Sequence, residues 1–111
     1  MIIGVAGPYS APTEELRKKN LEAMNMAAAR VFEKGHIPFI GLNMALPVVD
    51  KLDFYGDDYA AIMDISLAVI DKCDALLLLG ESLGANRERD ILITKGLPVY
   101  YSIDEIPQLV L

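Results

Sequence analysis

Residues 75–79 form an uninterrupted apolar run, Ala-Leu-Leu-Leu-Leu, and this run constrains the fold more than any other feature of the chain. It is far too short to span a membrane. It lies between Asp74 and Gly80, a pattern typical of a strand buried on both faces. Such strands occur at the centre of parallel sheets, so residues 74–80 are predicted to form the central strand of an α/β domain.

Apolar segments alternate with helical periodicity along the rest of the chain. The predicted strands are residues 2–6, 36–40, 74–80 and 98–101, and the predicted helices are residues 13–34, 57–73 and 85–95. This alternation predicts one parallel sheet of four strands in the order 2-1-3-4, with helices on both faces. Residues 41–56 lack a clear period and are expected to form a long irregular loop. Ser102 and Glu105 have capping-box spacing, which predicts a short last element at the C-terminus.

Composition limits the number of domains and the classes of partner. With 111 residues, 53% of them hydrophobic, the chain is expected to form one domain over residues 1–111. A net charge of −6 argues against binding to nucleic-acid backbones or anionic membrane surfaces. Cys73 is the single cysteine, so we expect no internal disulfide and a reducing, cytoplasmic location. One cysteine and one histidine are too few for a structural zinc site.

The predicted strand order places a ligand site at one edge of the sheet. The winding reverses between strands 1 and 3, and ligands of such folds bind outside the carboxyl ends of the strands at that point. Two loops follow these strands, residues 7–10 (Gly-Pro-Tyr-Ser) and residues 80–84 (Gly-Glu-Ser-Leu-Gly). Neither contains the glycine pattern of a dinucleotide or triphosphate loop. The sequence also lacks a serine nucleophile elbow, and His36 is expected in a solvated loop.

The start of the third predicted helix contains the most informative candidates. Ser82, Gly84 and Ala85 lie where free backbone N–H groups can approach an anion. Glu88 follows within two turns, where the helix dipole favours an ionised carboxylate of the kind a nucleophile requires. Periodicity alone favours the simpler interpretation, in which Glu88 is an exposed helix residue among Arg87, Arg89 and Asp90. Tyr9 has a similar ambiguity, since it either contacts a ligand or packs over the end of the sheet.

Several segments, taken together, resemble the nucleoside 2-deoxyribosyltransferase-like superfamily, in particular its small bacterial and phage members. The segments in question are residues 3–9 (IGVAGPY), 33–36 (EKGH), 56–63 (GDDYAAIM), 73–76 (CDAL), 82–88 (SLGANRE) and 96–99 (GLPV). The resemblance implies a flavodoxin-like, Rossmann-like three-layer domain. It also implies activity on the N-glycosidic bond of nucleosides or nucleoside 5′-monophosphates, by transfer or by hydrolysis.

The resemblance also implies roles for individual residues. Glu88 matches the nucleophile of the superfamily, and Tyr9 falls in the loop that holds that nucleophile and the sugar. Ser82 matches a hydroxyl that contacts the 5′ end of the substrate. The remaining expected substrate contacts come from Gly7, Pro8, Ser10, Gly84 and Ala85.

Ser66 is a departure from the superfamily pattern. Active relatives have an aspartate for the leaving base at the position that Ser66 appears to occupy, and a serine is a poor general acid. Asp64 and Asp58 are the nearest candidates to replace it, although Asp64 is expected to point elsewhere on the helix. Asp50, Asp53 and Asp57 are further acids in the same region.

Two functions remain open at this point. The first is a glycosyl-transferring or hydrolysing enzyme with a covalent glycosyl–Glu88 intermediate, which needs no metal or redox cofactor. The second is a non-catalytic nucleotide-binding or interaction module that has lost the acid. For either function we expect a small-molecule nucleoside or nucleotide ligand. We also expect a homodimer or a higher homo-oligomer, because so short a chain leaves few residues to form a lid over its pocket.

Overall fold

The central strand of the sheet is β3 (Ala75–Leu78), and all of its residues are buried. β1 (Ile2–Ala6) pairs with it in parallel, with Ile3 opposite Ala75. β2 (Ile37–Phe39) lies outside β1, and β4 (Val99–Tyr100) lies outside β3. This computed structural model describes residues 1–53 and 57–109. Its parallel four-stranded sheet has the order β2-β1-β3-β4, which confirms the predicted fold class and strand order.

Helices flank the sheet on both faces. In the described residues they are α1 (Glu14–Glu33), α2 (Gly41–Val49), α3 (Asp58–Ile70), α4 (Leu83–Thr94) and a 3-10 turn (Ile103–Glu105). Thr13, Asp57 and Ser82 begin α1, α3 and α4 by accepting a hydrogen bond from a backbone N–H of the first turn. The 3-10 turn occupies the position of the predicted last element. No helix in the described part of the chain has both the length and the apolar character needed to cross a membrane.

Alternate residues of β3 belong to two separate hydrophobic clusters. Ala75 and Leu77 pack in the cluster formed with α1, whereas Leu76 and Leu78 pack in the cluster formed with α3 and α4. This alternation follows from the two-residue period of a strand. Because both faces of β3 are covered, the domain has three layers, with the sheet between two layers of helix.

The prediction of an irregular loop over residues 41–56 is wrong for its first part, because residues 41–49 form α2. Two features of the sequence kept this helix from being predicted. Ile40 precedes it and provides no side-chain cap, and Pro47 lies inside it. Leu42, Ala45 and Leu46 nevertheless have helical spacing, and packing against α3 outweighs the weak local signal. Residues 54–56, which include Gly56 of the resemblance, lie outside the described residues.

His36 also differs from its prediction. It is only 2% exposed, rather than solvated. Its Nδ1 lies 3.0 Å from the Met1 amino nitrogen, and its Nε2 lies 2.7 Å from the carbonyl oxygen of Pro107. The His36 ring therefore links residues from both ends of the chain to the start of β2. This contact lies at the amino ends of the strands, whereas the predicted site loops follow their carboxyl ends.

The short turn predicted at residues 81–84 is partly helical. Ser82 caps α4, and Leu83 and Gly84 already belong to its first turn. This moves the helix N-terminus closer to the carboxyl end of β3. Glu88 consequently lies in the second turn of α4.

Two helix-start glycines offer a matched test of the packing between α2 and α3. A Cβ added to Gly41 would lie 2.9 Å from the Cα of Ser66, whereas one added to Gly84 would meet the flexible Met63 sulfur at 3.2 Å. We expect Gly41→Ala to lower the free energy of unfolding by about 1–3 kcal/mol, because backbone must move. We expect Gly84→Ala to stay within about 1 kcal/mol of wild type, because helix propensity offsets a small side-chain shift. Urea unfolding measures both, and equal stabilities for the two variants would contradict this packing.

Candidate functional site

A cavity of about 560 Å³ lies at the carboxyl ends of β1 and β3. The loop after β1 and the first turns of α4 form one side, and residues of α2 and α3 form the other. Seven of the residues predicted for the site line it, namely Gly7, Tyr9, Ser10, Ser82, Gly84, Ala85 and Glu88. The structure thus brings together residues that lie up to 81 positions apart in the sequence (Gly7 and Glu88, 88 − 7).

Three predicted residues do not line this cavity. Pro8 lies instead beside Gly80, whose added Cβ would meet the proline ring at 3.2 Å. Asp64 lines a separate groove on another face of α3, as its spacing from Ser66 indicated. Asp58 is exposed in the first turn of α3. Of the described residues around the cavity, Glu88 is the only carboxylic acid.

The Glu88 side chain is buried and lacks a partner. It is 7% exposed, and no described residue donates a hydrogen bond to it or forms an ion pair with it. Removal from water disfavours the charged form, and burial raises the pKa of Glu88 from 4.5 to about 8. The expectation of an ionised carboxylate is therefore wrong for the unliganded protein. A helix dipole contributes about 0.3–1 kcal/mol, less than the 1.4 kcal/mol of a single pKa unit.

Ser82 places its hydroxyl at the start of α4. Its Oγ accepts a hydrogen bond from the Ala85 N–H at 3.1 Å. This contact occupies one of the N–H groups that were expected to bind a ligand. Leu83 and Gly84 are the first residues of α4, so their N–H groups have no partner within the helix. The hydroxyl hydrogen of Ser82 is likewise not used by its capping bond.

Tyr9 both packs against the end of the sheet and faces the cavity, the two positions that the sequence left open for it. It is half-buried and packs against the cluster on the α1 side of the sheet, and it also lines the cavity. Its carbonyl oxygen accepts a hydrogen bond from the Asn20 side chain at 2.9 Å, which holds the loop after β1 against α1. The hydrogen bonds between described residues include none from Tyr9 to Glu88.

Arg17 and Tyr59 line the cavity but were missed from the sequence. Arg17 lies in the first turns of α1, and its guanidinium donates a hydrogen bond to the Ala11 carbonyl oxygen at 2.9 Å. The Tyr59 hydroxyl would lie 3.8 Å from a Cβ on Gly84. The helix predicted to start at Thr13 could have indicated Arg17. A residue in the first turns of that helix lies close to the loop that precedes it, and Arg17 indeed contacts Ala11 of that loop.

The wall opposite Glu88 is apolar and contains one buried hydroxyl. Leu42 and Leu46 of α2 and Ile62 of α3 line this wall. Ser66 lies among them, 1% exposed, and its buried Oγ has no hydrogen-bond partner among the residues that the structure describes. The cavity therefore has a polar side, formed by α4 and the loop after β1, and a mostly apolar side, formed by α2 and α3.

Fold and site define a parallel three-layer α/β domain with a buried carboxyl group at the point where the winding of the sheet reverses. Residues 1–101 match the family described as Domain of unknown function (DUF4406), and the chain belongs to that family. No curated protein matches the chain. Since the family description names no activity, an assignment of function rests on the site.

Burial of Glu88 predicts a pH-dependent stability. Between pH values of about 4.5 and 8 the folded protein holds a proton on Glu88 that the unfolded chain has lost. The free energy of unfolding therefore falls by about 1.4 kcal/mol per pH unit across this window and stays level above it. Glu88→Gln removes this contribution, so its stability advantage over wild type grows from pH 5 to pH 8.

Urea unfolding of wild type and Glu88→Gln at a series of pH values across this window measures the difference. Glu22→Gln, on the exposed face of α1, is the matched control and is expected to follow wild type. A constant difference between Glu88→Gln and wild type across the window would show that Glu88 is not buried as a neutral acid.

Proposed function

We propose that the protein cleaves or transfers the N-glycosidic bond of nucleosides or nucleoside 5′-monophosphates, with Glu88 as the nucleophile. The observation that supports this most is the unpaired Glu88 carboxyl group, held in a cavity at the ligand-binding edge of the sheet. A buried acid with no partner lowers the stability of a fold, because its charged form is destabilised by removal from water. Strongly perturbed acids in clefts are typical of catalytic sites.

The proposed reaction has two steps. The Glu88 carboxylate attacks the anomeric carbon, the bond to the base nitrogen breaks, and the electron pair leaves with the base. Water or a second base then attacks the same carbon and releases Glu88. The sugar becomes positively charged in each transition state. That positive charge stabilises the carboxylate form of Glu88 more strongly in a buried site than it would in water.

The polar side of the cavity suits the 5′ end of such a substrate. Arg17 is the one basic residue among the described lining residues. The Ser82 hydroxyl and the N–H groups of Leu83 and Gly84 supply donors at the positive end of α4. A 5′-hydroxyl or phosphate fits these groups, although the chain as a whole has a net charge of −6. The cavity volume of about 560 Å³ also falls in the range of small-molecule sites.

A non-catalytic nucleotide-binding module is the second candidate. Ser66 favours it, because Asp58 and Asp64 lie outside the cavity and the described lining residues include no second carboxyl group to protonate the base. The neutral state of Glu88 in the unliganded protein also suits binding without catalysis. This candidate predicts nucleotide binding without release of base.

Release of free base from deoxynucleosides and their 5′-monophosphates, measured by chromatography, tests the enzyme against the module. We expect Glu88→Gln to lower the rate on the order of 10³-fold or more, because the amide cannot act as the nucleophile. Glu22→Gln, at an exposed position that does not line the cavity, is expected to retain the wild-type rate. Nucleotide binding without any release of base would support the module instead.

The pH dependence of the same assay tests the role of Glu88 further. With a pKa of about 8, Glu88 is about one-tenth ionised at pH 7 in the free protein. We therefore expect kcat/KM to rise with pH and to level off above pH 8. A rate that falls over this range would indicate that Glu88 acts as an acid and not as a nucleophile.

We further propose that the protein forms a homodimer through a second groove of about 840 Å³, lined by residues of α1, β2, α2 and α3. Asp64 and Lys72 are the charged residues of this groove, and Ala68 lies midway between them in the sequence. If α3 packs antiparallel on its copy about a two-fold axis near Ala68, each Asp64 faces Lys72 of the partner subunit. The groove is therefore charge-complementary to itself.

Charge swaps at the groove test the dimer by light scattering after size exclusion. Asp64→Lys or Lys72→Asp alone places like charges opposite one another, so each is expected to shift the protein towards monomer. The double variant Asp64→Lys/Lys72→Asp restores opposite charges and is expected to recover the dimer. A wild-type protein that is monomeric, or a double variant no more dimeric than the single ones, would contradict this interface.

A further inference from the structure

Beyond Glu88, the described residues around the cavity include no acid that could protonate a leaving base. Tyr9, Arg17, Tyr59 and Glu88 are the lining residues with titratable side chains. Arginine keeps its proton in proteins, and a phenol is a weak acid at neutral pH. In the proposed reaction Glu88 itself acts as the carboxylate that attacks the sugar. Residues 54–56 and 110–111, which lie outside the described part of the chain, contain no acidic side chain by sequence.

The wall formed by α2 and α3 offers a base apolar and aromatic contact rather than hydrogen bonds. Leu42, Leu46 and Ile62 line it with apolar side chains. The Ser66 hydroxyl is not available to a ligand, because its Oγ is sealed within the protein. Tyr59 adds an aromatic ring to this wall, and its hydroxyl lies towards the start of α4. The face of such a ring attracts a cation more strongly than it attracts a neutral group.

Glu88, in contrast, is within reach of a ligand and lacks a cationic partner. Its carboxyl oxygens are not among the sealed, unpartnered atoms of the described residues, which are Ser66 Oγ and Asn86 Oδ1. Arg17 donates its hydrogen bond to the Ala11 carbonyl oxygen, and burial raises the pKa of Glu88 to about 8. A positive charge on a ligand would reverse this effect, because opposite charges attract strongly where water is excluded.

We infer that the substrates are N-glycosides whose base carries a positive charge, such as pyridinium or N7-alkylated purine nucleotides. This inference rests on the proposed function and narrows its substrate class. The charged base lies on the wall with Tyr59 and pairs with the Glu88 carboxylate. The 5′-phosphate lies on the polar side of the cavity and pairs with Arg17. The two charges of such a nucleotide thus match the two charged groups among the described lining residues.

A cationic base removes the need for a general acid. The Glu88 carboxylate attacks the anomeric carbon, and the bond from that carbon to the ring nitrogen breaks. The electron pair of this bond moves onto the nitrogen and cancels its positive charge, so the base leaves as a neutral molecule without a proton. Water then adds to the anomeric carbon, one of its protons passes to solvent, and the Glu88 carboxylate is restored. An uncharged base would have to leave as an anion, which is disfavoured without an acid to protonate it.

The binding arm of the test uses the carbocyclic analogue of nicotinamide mononucleotide, which has no glycosidic bond and is not cleaved. Its reduced form is the matched control, because the reduced ring carries no charge. Isothermal titration at pH 8.5, where most of Glu88 is ionised, is expected to show at least tenfold tighter binding of the charged form. Glu88→Gln is expected to remove this preference, and Glu22→Gln is expected to retain it. Equal affinities for the two forms, or a preference that persists in Glu88→Gln, would overturn the inference.

Binding of the charged analogue is also expected to release a proton from Glu88. With a pKa of about 8, about nine-tenths of Glu88 is protonated at pH 7 in the free protein. Titration at this pH in two buffers of different ionisation enthalpy measures the protons released. Wild type is expected to release close to one proton more than Glu88→Gln does. Equal proton release by the two proteins would contradict a cation beside Glu88.

The kinetic arm compares nucleotides that differ in the charge of the base. The pairs are nicotinamide mononucleotide with its reduced form, and 7-methylguanosine monophosphate with guanosine monophosphate. Each rate of base release is divided by the rate without protein, because a cationic base leaves more readily even in water. We expect this rate enhancement to be at least tenfold larger for the charged member of a pair, and to be lost in Glu88→Gln. Release from only one of the two cationic nucleotides would support the inference and identify the type of base.

These outcomes separate the inference from the proposed function. Base release that depends on Glu88, but is enhanced equally for uncharged nucleotides, would overturn the inference and keep the proposed function. A Glu88-dependent preference for the charged analogue without release of any base would reject the proposed catalysis and keep the recognition of a cationic base.

Discussion

Parallel pairing of β1 with β3 is the constraint on which the site depends. Residues from Ile3 to Ala6 lie opposite residues from Ala75 to Leu78, so both strands end at the same edge. The Asp74 carboxylate reinforces the register by accepting a hydrogen bond from the Ile2 N–H at 2.7 Å. As a result the loop with Gly7 and Tyr9 meets the start of α4. The cavity lies at this edge, where the winding of the sheet reverses, and residues of α2 and α3 form its other side.

Burial of Glu88 sets a cost that the rest of the domain offsets. One acid with its pKa raised to about 8 removes several kcal/mol of stability at high pH, and small domains have only about 5–15 kcal/mol in total. Two hydrophobic clusters, one on each face of the sheet, provide the compensating burial. Ser66 adds a smaller cost of the same kind. Both costs lie in one cavity, as is typical of sites organised for a ligand rather than for stability.

Local patterns in the sequence were sufficient for most of the architecture, whereas Glu88 was singled out as a nucleophile by the resemblance, and that role stays a prediction. The alternation of strands and helices predicted the order of the sheet, and the helix predicted from residue 85 begins at Leu83 in the structure. The features that were predicted wrongly share a cause, because each depends on contacts with residues that are distant in the sequence. His36 is buried by groups from the two ends of the chain, and α2 forms on α3 in spite of Pro47. The charge state of Glu88 was mispredicted because desolvation depends on tertiary packing, whereas the helix dipole is visible locally.

The ionisation of Glu88 is the central physical claim, and carbon-13 NMR of the glutamate side-chain carboxyl groups measures it directly. The Glu88 resonance, assigned by its loss in Glu88→Gln, is predicted to titrate with a midpoint of about 8 in the unliganded protein. A solvated glutamate side chain has an ordinary pKa of about 4.3. A Glu88 midpoint at that ordinary value would contradict the account, because it would show a solvated carboxylate in place of a buried neutral acid.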